Sequence, residues 1–168
     1  MTGQELGARF EAELRASVAK LHGERVGKRC KIPDEKRTRR PDGSYGAFFG
    51  ELRIADLQIV LPGGRTVYVE AKATSRPGPI TTVRALQWET LELMAAYQQE
   101  SWLLLHWRTV KPPFVSECLA VRAETAVRKR GSGIGRAWAR ANGEPLSRMA
   151  VPKPLEWGWD LRPITRRT

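Results

Sequence analysis

LRIADLQIVL-PGG-RTVYVEAKAT, residues 52–74, is the stretch on which the fold turns. Two runs rich in Val, Ile, Leu and Tyr flank Pro62-Gly63-Gly64, the signature of two antiparallel strands joined by a tight loop. A three-residue loop pairs Leu61 with Arg65 and, counting back along both strands, sets Asp56 opposite Glu70. Facing residues in such a pair have Cβ atoms about 4.5–5.5 Å apart. Alternation then puts Tyr68, Glu70 and Lys72 on one face and Val67, Val69 and Ala71 on the other. Ile54, Asp56, Gln58 and Val60 share a face in the same way, leaving Ala55, Leu57, Ile59 and Leu61 opposite. Asp56, Glu70 and Lys72 therefore converge. Two carboxylates this close repel unless a cation lies between them. A pair of hard oxygen ligands suits Mg²⁺, and a neighbouring ammonium can stabilise charge developing on a phosphate. The same Glu-x-Lys spacing also describes a solvated strand with a surface ion pair. A two- or four-residue turn would part Asp56 from Glu70.

On the N-terminal side, Thr2-Gly3-Gln4-Glu5 reads as a capping box. The helix it opens carries Leu6, Phe10, Leu14, Val18 and Leu21 on one stripe, with Gly23 as its stop. Glu11 and Glu13 lie on opposite flanks of that stripe, and geometry alone does not choose between them. A strand near Val26–Ile32 is expected next, then a long excursion punctuated by Pro33, Pro41, Gly43, Gly46 and Gly50. On the C-terminal side, Pro77-Gly78-Pro79 breaks the chain before a second helix over about Thr82 to Gln99. Its apolar face reads as Val83, Leu86, Leu91, Leu93, Met94 and Tyr97, and Gln87 falls inside that face. An amide buried there needs partners, either backbone groups or the acids of the hairpin. Trp102–Trp107 is an almost continuous apolar run, expected as a buried central strand. A strand over Phe114–Val121 and a short helix over Arg122–Arg130 follow, and the last forty residues show no clear period. Helix, hairpin, helix, strands is the order of a mixed α/β domain.

The 168 residues carry 29 Lys+Arg against 18 Asp+Glu, a net charge of +11. Residues 24–50 hold a net +4 and residues 122–168 a net +7, so the remainder is neutral. A neutral core with two basic segments fits a polyanionic partner. Arginine supplies 21 of the bases and is the better residue for forked phosphate contacts. No run approaches the ~20 apolar residues of a membrane span. MTGQELGARF lacks the layout of a signal peptide, so no membrane and a cytoplasmic setting are expected. Cys30 and Cys118 are too few and too far apart for a disulfide framework or zinc site. RGSGIGR at 130–136 lacks the spacing of a phosphate-cradling loop and reads as a flexible basic loop. Trp138, Trp157 and Trp159 can stack on bases or pin the chain end to the domain or to a second subunit.

Glu11, Asp56, Glu70-Ala71-Lys72 and Gln87 reproduce the order and setting of the PD-(D/E)XK nuclease motif. Within that superfamily the chain most resembles the Holliday junction resolving enzymes of the archaeal type and the related RecU type. GARFEAEL resembles their helix with a glycine four residues before the catalytic glutamate, which favours Glu11 over Glu13. ADLQIVLPGGRTVYVEAKAT resembles their aspartate strand, turn and Glu-x-Lys strand, with a threonine, Thr74, two residues after the lysine. LQWETLELM resembles the helix in which a glutamine follows the second motif. The resemblance spans residues 3–121. Ala55 stands where a proline is usual, the 24–50 excursion corresponds by position to a junction-contacting loop or stalk, and the segment after 130 lies outside it.

The resemblance implies a restriction-endonuclease-like core, a central mixed β-sheet flanked by helices, over residues 1–130. A basic excursion lies at about 33–50, and a basic Trp/Pro-rich extension, 131–168, packs on the domain or dimer. It implies a catalytic set of Glu11, Asp56, Glu70, Lys72 and Gln87. Asp56, Glu70 and the Ala71 carbonyl would hold Mg²⁺, for which Mn²⁺ can substitute, with Glu11 completing the shell through water. Lys72 would position the attacking water and Gln87 would orient Lys72 or a phosphate. Arg29, Lys31, Arg37, Arg39, Arg40 and Thr74 would contact DNA by shape rather than sequence. Paired cuts in a four-way junction, leaving 5′-phosphates, imply a two-fold homodimer. Another nuclease or nickase of the superfamily, and a non-catalytic nucleic-acid-binding domain, are the competing readings.

Overall fold

The computed structural model describes residues 2–26, 55–109 and 116–166. The strand expected at Val26–Ile32, the 33–50 excursion, and Arg29, Lys31, Arg37, Arg39 and Arg40 fall outside the described residues, except that Val26 closes the first helix.

The chain forms a mixed α/β structure whose five-stranded mixed sheet is flanked by helices. Helix α1 spans Gly3–Val26. Its capping box is real: Glu5 N donates to Thr2 Oγ1 at 3.2 Å and Thr2 N to the Glu5 carboxylate at 2.6 Å. The helix passes through Gly23 rather than stopping there, since an internal glycine costs a helix only about 1 kcal/mol. Strands β1 (Leu57–Val60) and β2 (Thr66–Thr74) pair antiparallel. The turn between them holds Gly63 and Gly64 at φ 81° and 80°, a left-handed conformation that glycine adopts without strain. Leu61 N donates to Arg65 O at 2.7 Å, which makes the loop three residues long.

Helix α2 (Ala85–Ala96) then crosses to β3 (Ser101–Arg108), which lies parallel to β2. β4 (Ser116–Arg122) pairs antiparallel with β3, and α3 (Ala123–Ala126) and a short 3₁₀ turn follow. Residues after 130 are not a mere extension: they add α4 (Arg136–Asn142) and the edge strand β5 (Glu144–Leu146), which continues the main sheet beside β4. A separate ribbon of β6 (Arg148–Ala150) and β7 (Trp157–Trp159) is followed by α5 (Arg162–Thr165). Among the described residues no helix is long and apolar enough to cross a membrane.

β3 is buried from Ser101 to Trp107 and divides the interior in two. Trp102 and Leu104 join Phe10, Leu14 and Val18 of α1, Leu57 and Ile59 of β1, and Val67 and Val69 of β2. Leu103, Leu105 and Trp107 join Trp88 and Leu91 of α2, with Ile134 and Ala139, on the opposite face. The helix faces differ from expectation in one respect. Leu86, Leu93 and Tyr97 are 55, 37 and 70 % exposed, whereas Trp88, Thr90, Leu91 and Met94 face inward. α2 is apolar on most of its circumference, so its periodicity leaves the rotation open. Burying the large Trp88 ring and turning Gln87 toward the sheet settle it.

The ribbon is bound to α1 through Trp159. Its backbone N–H donates to Ser17 Oγ at 2.6 Å and its Nε1–H to Glu13 Oε2 at 3.1 Å. The approach is so close that a Cβ on Gly158 would collide with Ser17 Oγ and lie 2.7 Å from Val151. The RGSGIGR segment is anchored too. Ile134 is fully buried and bridges Ile80, and Arg130 pairs with Glu92 rather than presenting a free cation.

Candidate active site

The hairpin register is Leu57↔Val69, Gln58↔Tyr68, Ile59↔Val67 and Val60↔Thr66. Continued by one residue, it sets Asp56 beside Glu70. Asp56 Oδ2 accepts a hydrogen bond from Ala71 N at 2.9 Å, which ties the residue before β1 to the neighbouring strand. Because Leu57, Ile59, Val67 and Val69 are committed to the core under α1, the intervening residues point to the α2 face.

Glu70 is the hub. Its Oε1 accepts from both Lys72 Nζ and Gln87 Nε2. Gln87 spends its other end on the helix itself, since its Oε1 accepts from Arg84 N at 3.0 Å and so caps the first turn of α2. One amide thus fixes the start of α2 against the acid of β2. Glu70 is only 6 % exposed. Burial pushes its carboxyl up to about 7; the Lys72 ammonium pulls it down and the Asp56 carboxylate pushes it up again. Burial and the second acid prevail over the single lysine.

The donor set fits a hard divalent cation on its chemistry: two carboxylates and the Ala71 carbonyl offer oxygen donors, and Lys72 is the cation paired with Glu70. The set is a pair, however. Among the described residues no three His, Cys, Asp or Glu side chains are grouped to share one ion. Glu11 lies on α1 with its carboxylate accepting from Arg15 Nη2 at 3.0 Å. Glu13 is buried and engaged by Arg9 and Arg108 as well as Trp159, so it serves packing of the chain end. The choice that geometry left open between Glu11 and Glu13 is narrowed in this way, with Glu13 already committed. Thr74 ends β2, and its Oγ1 accepts from Arg76 N at 3.1 Å.

The structure also assembles residues that no sequence pattern groups. Arg9, Glu13, Arg108, Arg148, Trp157 and Trp159 line a cavity of about 320 Å³ between α1, the end of β3 and the ribbon. Their only signal in the sequence was the alternation of Trp157 and Trp159 around a glycine. His106 lies in the core between Phe10 and Trp159, at 4.8 and 4.9 Å between ring centroids, with Nε2 3.2 Å from Ser116 Oγ. Burial, then Arg108 and Arg148, lower its pKa to about 3, so it stays neutral. Burial likewise raises the Cys118 thiol well above its usual range, which leaves it unreactive. No protein-family model matches the chain, and no curated protein matches it.

Proposed function

We propose that the protein is a Mg²⁺-dependent endonuclease of the PD-(D/E)XK type with a restriction-endonuclease-like core. We further propose that it resolves four-way DNA junctions as a homodimer. The observation that carries the reading is the Asp56–Glu70 pair: two acids in register on one hairpin, with Lys72 and Gln87 bonded to the same Glu70 oxygen. A protein that only binds nucleic acid has no use for a buried glutamate, its carboxyl pushed up to about 7 by burial, set beside a second acid.

Asp56, Glu70 and the Ala71 carbonyl would hold the cation, with Glu11 acting through water. When bound, the cation supplies Lewis-acid stabilisation of the charge that grows on the phosphate. Lys72 lies beside the acids and offers its ammonium to the attacking water and to that same charge. Gln87 orients Glu70 and Lys72 by holding the Glu70 oxygen from the helix side. The two basic segments, net +4 and +7, would hold the backbone by charge and shape. Opposed strands of a junction need two sites, hence a two-fold dimer.

The test compares cleavage of a four-way junction and a linear duplex, with Mg²⁺ and with chelator, by wild type and Asp56→Asn. Only wild type with Mg²⁺ should cut, and it should prefer the junction, while the variant still binds. Undiminished cutting by Asp56→Asn would overturn the site. Equal cutting of duplex would leave a nuclease or nickase of another specificity. No cutting at all, with binding intact, would leave the binding domain.

A further inference from the structure

A second feature occupies the other face of the sheet. In the ribbon, Arg148 pairs with Trp159 and Ala150 with Trp157, so the two tryptophans and Arg148 share one face. That face closes over α1 and the end of β3 and leaves the 320 Å³ cavity. Trp159 is buried against Glu13 and Ser17 and forms its fixed wall, whereas Trp157 is 52 % exposed.

The cavity has surplus positive charge. Glu13 is a single carboxylate facing two guanidiniums, Arg9 at 3.3 Å and Arg108 at 3.1 Å. Arg148 makes no ion pair among the described residues and lies 5.9 Å from the Trp159 ring centroid. Most other arginines of the C-terminal segment are occupied: Arg130 by Glu92, Arg136 and Arg140 by Glu117, and Arg162 by Asp160. His106 lies beneath, its pKa lowered chiefly by burial and then by Arg108 and Arg148. Glu156 at the margin offsets one charge, and Arg9, Arg108 and Arg148 still outnumber the two acids.

We propose that this cavity binds one nucleotide of an unpaired nucleic-acid strand, with Trp157 stacked on the base and Arg148, Arg9 and Arg108 toward its phosphate. The volume lies at the small end of the range for ligand sites, about 300–1,000 Å³, which suits a single nucleotide. An exposed indole beside guanidiniums is the chemistry of sequence-tolerant single-strand binding, because every base has a π-face and every nucleotide a phosphate. A duplex does not present an unstacked base to Trp157. The site uses none of the residues assigned to cleavage and lies across the sheet from Asp56, Glu70, Lys72 and Gln87, although Glu11 shares α1 with Arg9.

The test measures binding of a fluorescein-labelled oligothymidylate, and of a duplex of the same length, to the full chain in chelator. Wild type is compared with Trp157→Ala, Trp157→Phe, Arg148→Ala and Arg148→Lys. Trp157→Ala and Arg148→Ala should each weaken oligothymidylate binding about tenfold, and duplex binding less than about twofold. Trp157→Phe should keep most of the affinity, and Arg148→Lys should fall between wild type and alanine. Both side chains are exposed, so melting temperatures should match wild type and confirm that the variants fold. Unchanged oligothymidylate affinity in either alanine variant, or an equal loss on duplex, would overturn the proposal. A wild-type protein that cuts nothing in Mg²⁺ would defeat the nuclease reading and leave these binding outcomes intact.

Discussion

Glu70→Gln should make the metal-free protein more stable at alkaline pH while removing cleavage. In the folded chain the Glu70 carboxyl titrates at about 7 against 4.5 for the ordinary group, because burial and Asp56 outweigh Lys72. The sign follows from which state holds the proton. Between pH 4.5 and 7 the folded protein keeps a proton that the unfolded chain has released, so stability falls as pH rises through this window and levels off above it. At 1.36 kcal/mol per pKa unit, the loss is at most about 3 kcal/mol. Glutamine mimics the protonated acid, keeps a hydrogen bond to Lys72 or Gln87, and cannot titrate. Urea denaturation of both proteins in chelator at pH 5, 6, 7 and 8 reads the difference directly. His106 acts in the opposite sense: with its folded pKa near 3, its contribution is present above about 6.5 and is lost toward acid. It is common to both proteins and cancels. The variant's advantage should grow from under about 1 kcal/mol at pH 5 to about 3 kcal/mol at pH 8. Millimolar Mg²⁺ should then raise the wild-type melting temperature at pH 8 and leave the variant unmoved. A difference curve flat across this range would refute the account of Glu70.

Three further outcomes follow from the packing. Glu13→Ala should cost about 3–5 kcal/mol, because it strips Arg108 and Trp159 Nε1 of their buried partner; Glu11→Ala should leave the melting temperature within about 2 °C of wild type and lower cleavage, and the reverse pattern would exchange the two roles. Gln87→Ala removes both the cap of α2 and a donor to Glu70, so a loss of about 1–2 kcal/mol in denaturation is expected together with reduced cleavage. Gly158→Ala should loosen the ribbon from α1, seen as faster hydrogen exchange at residues 157–166 with β2 and β3 still protected.

The hairpin was legible because its information is local. Alternation fixes which residues share a face, and a Pro-Gly-Gly loop of three sets the register, so Asp56, Glu70 and Lys72 could be brought together on paper. β3 was equally legible, since a strand covered on both faces must be apolar throughout. α2 is not, because a helix apolar around most of its surface carries no phase: periodicity points Leu86, Leu93 and Tyr97 inward, yet the core takes Trp88. Gln87 is legible as an amide in need of partners, but the partners it finds depend on the neighbouring strand.

The amino-acid sequence by itself determined the element order, the hairpin register and the facing of its acids, all of which follow from steric alternation over a few residues. It also determined the charge that surrounds them. The tertiary structure decided what depends on residues far apart in the chain. It folded the unpatterned last forty residues into an edge strand and a ribbon, whose three-residue strands have too few local bonds to persist without the surface they cover. It also committed Glu13 to the interior, because Arg108 and Trp159, 95 and 146 residues away, supply donors that make burying that carboxylate tolerable.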